Sequence, residues 1–414
     1  MQKITNKYKL PEFSLPALEL EHHLNDLREI KSFFEDRNIS TKSTRISRYI
    51  KYLEEKTSNG CKTNEDLFKN TKANFLDSDL TWHLYVLREV HELMFILKGL
   101  KVHVPKGVDE KLSKITAGSD FAASDKNTEH RNTQFELRIA SYFCQAGYSV
   151  DLSTDTDIIA ENEERIYYIE CKRIASHRAI KANLEKAKSQ ISLRMPSYTI
   201  QKKAFGIIAA DVTKIAYNHN GLTFGITPEH SRDVVREGLY QVLETVRKVD
   251  IFTPDLPLIG CWLQIHIPAL IEKPFSITTR FSSLLEGYPI DEAACDEVNN
   301  IIASGSKDDE RCAPPEPLKI RDRVDVPAGT LFRISDDLVF FFMSGQPPEN
   351  LNFDDHSIVS TLIMNEEKHD FLFFDYKRIC NNYTVYERKN MFKDMEHARV
   401  GVILEMYAER FRYL

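Results

Sequence analysis

Apolar residues in the first part of the chain recur every three or four positions, which is the period of an amphipathic helix. This pattern covers residues 15–36, 40–53 and 80–100. It predicts a run of helices, and their polar faces carry no set of side chains typical of catalysis. We therefore expect residues 1–120 to form an N-terminal helical domain that contacts or positions a partner.

Beyond residue 120 the pattern changes to short strands alternating with helices. The predicted elements are, in order, a helix (131–146), three strands (149–153, 157–160, 166–172), a helix (178–194), a strand (205–212), a helix (228–249) and a strand (258–267). Gly147 follows the first of these helices as a typical C-cap. The last two strands are almost continuously apolar, as in strands covered on both faces. The order predicts an α/β domain over residues 121–272, with a mixed central sheet flanked by helices.

The last part of the chain has weaker periodicity. We expect a polar, proline-rich loop at residues 304–317, strands at 338–343 and 371–374, and a terminal helix at 396–411. This mixture predicts a C-terminal accessory α+β region over residues 273–414.

Composition narrows the class of protein. The chain has 414 residues, of which 42% are hydrophobic and 28% charged, as in soluble globular proteins. No apolar run is long enough to span a bilayer, and the N-terminus lacks the apolar stretch of a signal peptide. The seven cysteines are scattered, without a Cys-x-x-Cys pair. We therefore expect reduced thiols, a cytoplasmic location and no membrane partner.

The candidate chemistry lies at the end of one predicted strand, in Glu170, Cys171 and Lys172. Side chains two residues apart lie on the same face of a strand, so Glu170 and Lys172 lie side by side. Residues 161–164 can turn the chain back, which brings Asp157 opposite Glu170 across a hairpin. Two facing carboxylates repel each other unless a cation lies between them. Because hard oxygen ligands suit Mg²⁺, the pattern predicts a magnesium site.

Charge patterning adds a candidate nucleic-acid surface. The net charge of −7 argues against a general attraction to nucleic acid. Residues 165–203 are nevertheless basic, with ten Lys or Arg residues against two acidic ones. Beside the paired carboxylates, such a surface indicates contact with phosphates. The candidate contacts are Arg173, Arg178, Lys181, Lys188 and Arg194.

These residues resemble the PD-(D/E)XK nuclease superfamily, which has the restriction-endonuclease-like fold. The matching features are a helix carrying Glu136, the strand start at Asp157, the hairpin, and the Glu170-x-Lys172 motif. The resemblance covers residues 128–215 and reaches residue 270 at most. The family's proline before the aspartate is replaced by Thr156. Asp155 is an alternative for the aspartate, but the hydrophobic pair after Asp157 favours Asp157.

The resemblance implies a metal-dependent endonuclease that hydrolyses phosphodiester bonds in DNA, in restriction or defence against foreign DNA. Asp157, Glu170, Glu136 and the backbone carbonyl of Cys171 are then the ligands of Mg²⁺, with Mn²⁺ as a substitute. Lys172 orients or deprotonates the attacking water or stabilises the developing charge. In related nucleases a polar residue of the following helix touches the site or the DNA backbone, which implies that role for Gln190.

Other functions remain compatible with the same residues. One is a catalytically silent nucleic-acid-binding or scaffold protein that has kept the fold. Another is a nuclease directed at RNA, because such a metal site handles either backbone. Repair or recombination is an alternative setting for cleavage of DNA. In each case we expect the N- or C-terminal region to make a homo-oligomer or to bind a partner protein.

Overall fold

The structure is a computed structural model of the whole chain. It describes residues 2–3, 8–9, 19–63, 66, 78–120, 125, 127–196, 202–216, 222–225, 228–271, 276–288, 290–305, 325–383 and 385–411. The chain forms two compact units. The core unit is Pro16–Ala313, and the terminal unit combines Met1–Leu15 with Pro314–Leu414.

Both units contain helices and strands. The helices are α1 (Leu20–Glu35), α2 (Arg45–Ser58), α3 (Ser78–Val102), α4 (Val108–Ile115), α5 (Glu129–Gln145), α6 (His177–Arg194), α7 (Thr213–Ala216), α8 (Pro228–Val246), α9 (Glu292–Gly305), α10 (Asp336–Ser344), α11 (Phe373–Asn382), α12 (Val385–Asn390) and α13 (Met395–Phe411). The strands are β1 (Gln2–Lys3), β2 (Tyr8–Lys9), β3 (Ser149–Asp151), β4 (Ile158–Glu161), β5 (Arg165–Arg173), β6 (Lys203–Asp211), β7 (Thr223–Gly225), β8 (Leu258–Ile271), β9 (Ser276–Gly287), β10 (Asp325–Val326), β11 (Leu331–Ile334), β12 (Ile358–Met364) and β13 (Glu367–Leu372).

The core unit is built on a mixed sheet, in agreement with the predicted α/β class. Its strand order is β3-β4-β5-β6-β8-β7, and β9 pairs with β8. Strands β5, β6, β8 and β7 run parallel to one another, whereas β3, β4 and β5 form an antiparallel meander and β9 is antiparallel to β8. Parallel neighbours need a crossover connection, and α6 supplies it between β5 and β6. Strand β8 is buried along its whole length, because helices cover both faces of the sheet.

Two hydrophobic clusters lie on the two faces of this sheet. One joins alternate residues of β5, such as Tyr167 and Ile169, to α5 and to the helices α1 to α4. The other contains Tyr168 and packs against α6 and α8 through residues such as Leu184 and Leu239. The period of two along β5 therefore sends successive side chains into separate cores.

The boundaries of the units differ from the three-part division predicted from sequence. Helices α1 to α4, expected in a separate domain, share one hydrophobic core with the sheet. Past residue 272, β9 pairs along the length of β8, and α9 buries Ala294, Val298 and Ile301 in the same core. The contacts of α1 to α4 and of α9 with the sheet join residues far apart in sequence, so local periodicity did not predict them.

The terminal unit is a smaller α+β structure. Its antiparallel sheet has the order β1-β11-β12-β13, and β2 pairs with β10. Helices α10, α11 and α13 pack on it around a core that includes Phe332, Phe342, Phe371 and Tyr376. From residue 306 onward, the predicted proline-rich loop lies outside the described residues. Among the helices that the structure describes, none has the length and apolar character needed to cross a membrane.

One predicted strand of the terminal unit is wrong. Residues 338–343 lie in helix α10, whose start is capped by the Ser335 hydroxyl accepting from the Leu338 N–H at 3.4 Å. Gly345, with φ of 70°, adopts the left-handed conformation that ends the helix. A continuous apolar run does not distinguish a buried strand from a buried helix. Here the capping residues Ser335 and Gly345 indicate a helix.

Candidate active site

The hairpin of β4 and β5 positions the predicted acidic pair. Asn162 shapes its turn, because its side-chain carbonyl accepts from the backbone N–H groups of Glu164 and Arg165 at 2.9 and 2.8 Å. The register pairs Ile158 with Ile169. One step further along this register, Asp157 lies opposite Glu170, as the sequence predicted.

Lys172 lies between the predicted oxygen ligands. Its Nζ atom is 3.2 Å from Glu170 Oε2 and 3.1 Å from the carbonyl oxygen of Cys171. It is also 3.7 Å from Asp157 Oδ2. Carboxylate oxygens from two strands and one backbone carbonyl thus converge on a single cationic atom.

Asp157 is held in place by the backbone of the neighbouring strand. Its Oδ2 accepts from the N–H of Cys171 at 2.8 Å, and its side chain stays 22% exposed. The Cys171 thiol points into the hydrophobic core on the other face, where burial and the charge of Asp157 raise its pKa well above the usual range. Cys171 therefore contributes its backbone to the site and its side chain to the core.

Glu170 is fully buried and bound by cations on both oxygens. Arg194 Nη1 donates to Oε1 at 2.5 Å, and Lys172 donates to Oε2. Burial raises the pKa of Glu170, and the charge of Asp157 raises it further. Lys172 and Arg194 act in the opposite direction. Glu170 thus combines strong desolvation with two charged donors, which is typical of a functional carboxylate and also of a structural ion cluster.

Arg194 was predicted to contact phosphate, and the structure instead pairs it with Glu170. It stands four residues after Gln190 on α6, so both side chains lie on one face of that helix. Gln190 itself is half-buried, and among the described residues its Oε1 atom, which is buried, has no hydrogen-bond partner.

Glu136 comes close to the site from α5 but is bound elsewhere. Its Oε2 accepts from Lys111 Nζ of α4 at 2.6 Å. Burial raises the pKa of Glu136, and the charge of Asp157 adds to this, whereas Lys111 and Lys172 lower it. The sequence indicated nothing about Lys111, because the two residues meet only through the packing of α4 on α5.

The remaining basic candidates lie along α6 and at the end of β5. Arg173 pairs with Asp211 of the neighbouring strand, with Nε and Oδ2 separated by 3.3 Å. Lys181 is exposed and 3.8 Å from Glu185, and Lys188 donates to the Asp250 carbonyl at 3.3 Å. Arg178 is exposed at the start of α6. A basic face of α6 therefore remains open to a polyanion, while Arg173 and Arg194 are engaged by carboxylates.

The donor set suits a hard divalent cation. Oxygens of Asp157, Glu170 and the Cys171 carbonyl surround the position of an ammonium group, and oxygen is the ligand that Mg²⁺ prefers. Across the described part of the chain, no group of three or more His, Cys, Asp and Glu side chains is arranged to hold a metal ion. The candidate site therefore rests on two carboxylates and one backbone carbonyl.

Comparisons with known proteins do not identify this chain. No protein-family model, no curated protein and no solved structure matches it.

Proposed function

We propose that this chain is a metal-dependent nuclease that hydrolyses phosphodiester bonds, with DNA as its substrate. The observation that carries the proposal is the convergence of the Asp157, Glu170 and Cys171 oxygens on Lys172 Nζ. The residues are those of the Asp…Glu-x-Lys motif, and their spacing brings them together at the ends of adjacent strands.

The order of elements around the motif supports the same proposal. Helix α5 precedes the β3-β4-β5 meander, and α6 then leads to the parallel strand β6. This is the order that the resemblance to the PD-(D/E)XK superfamily implies. We therefore propose a restriction-endonuclease-like core over residues 128–215, and restriction or defence against foreign DNA as its setting.

Each residue of the site has a role in this chemistry. A divalent cation bound by Asp157, Glu170 and the Cys171 carbonyl would neutralise charge on the phosphate and lower the pKa of a bound water. Lys172 carries its ammonium on a flexible stem, so it can orient or deprotonate the water or offset charge on the phosphate. The Cys171 N–H fixes the carboxylate of Asp157.

The substrate backbone would lie along the basic face of α6. Arg178, Lys181 and Lys188 are three or seven residues apart, so they share one side of the helix. Contacts of this kind position a nucleic acid without reading its sequence, and they weaken as salt rises.

One observation favours a catalytically silent nucleic-acid-binding or scaffold protein instead. Both oxygens of Glu170 are engaged by cationic side chains, Lys172 and Arg194. A carboxylate satisfied in this way can be a purely structural ion cluster. The nuclease and the silent protein differ in whether a divalent ion binds and bonds are cut.

The test is cleavage by the purified chain in Mg²⁺, Mn²⁺ or EDTA. The substrates are supercoiled plasmid, single-stranded DNA and single-stranded RNA of one sequence. We expect metal-dependent cutting of DNA that falls by about 10²- to 10⁴-fold in Lys172→Ala. Lys51→Ala removes an exposed lysine of α2 and should cut like the unmodified chain. Preferred cleavage of RNA would support the RNA-directed alternative.

Two outcomes would contradict the proposal. Equal cutting by the unmodified chain and by Lys172→Ala would assign the activity to other residues or to a contaminant. The second outcome is a folded chain that binds DNA without cutting it and shows no heat of Mg²⁺ binding that Asp157→Asn changes. That result would identify the catalytically silent protein.

A further inference from the structure

A second polar cluster lies at the end of β5, on the face opposite Glu170 and Lys172. Arg173 and Asp211 are register partners at the C-terminal ends of the parallel strands β5 and β6. Arg138 of α5 approaches the same carboxylate, with Nη2 3.6 Å from Asp211 Oδ2. The Nη1 atom of Arg138 donates to Glu92 Oε1 of α3 at 2.8 Å. The cluster is therefore assembled from two helices and two strand ends.

Arg88 of α3 is the unusual member of this cluster. It stands one helical turn before Glu92, and its side chain is buried. Among the described residues it makes no hydrogen bond and no ion pair, and its Nε atom is buried without an acceptor. A guanidinium buried without an acceptor costs free energy, so this position favours an anion.

Neighbouring donors share this lack of acceptors. Within the described residues, Nε and Nη2 of Arg138 and Nδ1 of His266 are buried and make no hydrogen bond. Arg138 and His266 are themselves almost fully buried. Side-chain nitrogen atoms from α3, α5 and β8 therefore lack hydrogen-bond partners in one region of the core unit, where His266 Nδ1 lies 3.7 Å from Glu92 Oε2.

The carboxylates nearby are already engaged. Glu89 is bound by Arg45 and Arg131. Asp211 pairs with Arg173 and accepts from the Thr213 N–H at 3.0 Å. The charges of Glu89, Glu92 and Asp211 raise the pKa of Arg88 against the effect of burial, but among the described residues none of these carboxylates hydrogen-bonds to it.

Lys214 extends this group of cations to the surface. It is the second residue of the short helix α7, which begins at Thr213 just after β6, and it is exposed. Burial of its amine lowers the pKa of Lys214, and the charges of Arg173 and Arg88 lower it further, whereas Asp211 and Asp125 raise it. Arg88, Arg138, Arg173 and Lys214 thus share the single carboxylate of Asp211. Lys214 and the partly exposed Arg173 give this cluster an opening to solvent.

We propose that Arg88, Arg138 and Arg173 form a binding site for a phosphate group. The planar guanidinium fork pairs with two phosphate oxygens at once, and arginine is the residue preferred for this recognition. A phosphate carries enough negative charge to balance Arg88 and enough acceptors for the unsatisfied donors. The site does not depend on the proposed nuclease activity. The phosphate can belong to a nucleic-acid backbone or to a small phosphorylated molecule.

The test compares thermal unfolding in potassium phosphate and in potassium chloride of equal ionic strength. We expect phosphate to raise the Tm of the unmodified chain beyond the effect of chloride, because a ligand that binds only the folded state stabilises it. Arg88→Gln should lose this rise. Its Tm without phosphate should equal or exceed that of the unmodified chain, because the substitution removes an unpaired buried charge. Lys51→Gln should behave like the unmodified chain.

A second variant keeps the test decisive if Arg88→Gln does not fold. Arg173→Gln lies at the partly exposed end of the cluster and should weaken phosphate binding about tenfold or more in calorimetry with inorganic phosphate. No phosphate-specific rise in Tm for the unmodified chain would overturn the site. A full rise retained by both variants would also overturn it.

Competition distinguishes the two sources of phosphate. If inorganic phosphate displaces a short DNA duplex and Arg173→Gln weakens duplex binding, the site holds a backbone phosphate. If phosphate binds without affecting the duplex, it holds a small phosphorylated molecule. Both results support the site.

Discussion

A buried carboxylate needs cations or hydrogen-bond donors at its oxygens. Glu170 meets this need through Lys172 and Arg194, and Asp157 through the N–H of Cys171. Without a metal, the ammonium group of Lys172 contacts both carboxylates and offsets their repulsion. In the proposed nuclease, a divalent ion bound to the same oxygens would compete with Lys172 for them. Arg194 is therefore a positioning residue for Glu170.

A second buried carboxylate, Glu89, is satisfied in the same way where α2, α3 and α5 meet. Arg45 donates to Glu89 Oε2 at 2.5 Å, and Arg131 donates to the same oxygen. Gln134 adds a donor to Glu89 at 3.3 Å. Burial raises the pKa of Glu89, but the guanidinium groups of Arg131 and Arg45 outweigh burial and hold it at about 2.

We predict that Glu89→Gln destabilises the chain by about 3 kcal/mol at neutral pH, because it leaves buried guanidinium charge uncompensated. Since the folded pKa of Glu89 lies below its usual value of 4.5, the carboxylate stabilises the fold above that pH. This stabilisation is lost as the pH falls toward about 2. The difference in Tm between the two proteins should therefore narrow below about pH 4.5.

The control for Glu89 is Glu55→Gln, which changes an exposed glutamate of α2. It should alter the Tm little at any pH, as is usual for surface substitutions. An equal Tm for Glu89→Gln and the unmodified chain at neutral pH would contradict the importance of this ion cluster.

At the level of elements, α3 and α5 approach each other unusually closely at Gly99. A Cβ atom at this position would lie 2.7 Å from Ser141 Cα and 2.8 Å from its carbonyl oxygen. Ser141 Oγ in turn donates to the Phe95 carbonyl at 2.6 Å across the same contact. Glycine here allows the two helices to place their polar residues against each other.

We predict that Gly99→Ala lowers the stability by about 1–3 kcal/mol, as overpacking in a core does. In an exposed helix the same change would stabilise by up to about 1 kcal/mol. Chemical denaturation therefore tests the contact between α3 and α5, because Gly99→Ala should lower the free energy of unfolding and not raise it. Lys98→Ala, at the exposed neighbouring position, should be nearly neutral, and a more stable Gly99→Ala would show that the helices are not in close contact.

At the scale of the whole molecule, the two ends of the sequence meet in the terminal unit. Strand β1 pairs with β11, and β2 pairs with β10, across more than three hundred residues. Strands β1 and β11 belong to one sheet with the longer strands β12 and β13, whereas β2 and β10 form a separate two-stranded sheet. In sequence, the core unit is thus an insertion between two segments that pair with each other in the terminal unit.

We predict that deletion of residues 1–9 exposes β11 on one side. Amide hydrogen exchange should then accelerate about tenfold at Leu331–Ile334, since each lost backbone hydrogen bond is worth about 1 kcal/mol. Exchange in β5 and β6 should stay slow and serves as the internal control. Unchanged protection of β11 in the shortened chain would contradict the pairing.

Local sequence determined much of this architecture. The α/β class follows from helical and strand periods that each element shows by itself, and the β4–β5 hairpin follows from alternation and a polar turn. The register of the hairpin decides which residues of β4 and β5 lie opposite each other and on which face. The sequence therefore also predicted Asp157 opposite Glu170, with Lys172 beside it. These features depend on residues close together in the chain.

Tertiary structure alone decided the rest. The contacts of Arg194 with Glu170, of Lys111 with Glu136 and of Arg173 with Asp211 join separate elements, so no spacing in the sequence indicates them. The same holds for Arg88, whose lack of an acceptor is visible only once its surroundings are packed. The N-terminal helices and the sheet likewise share one core. Periodicity identifies the apolar face of each helix, but it does not show which other element that face packs against.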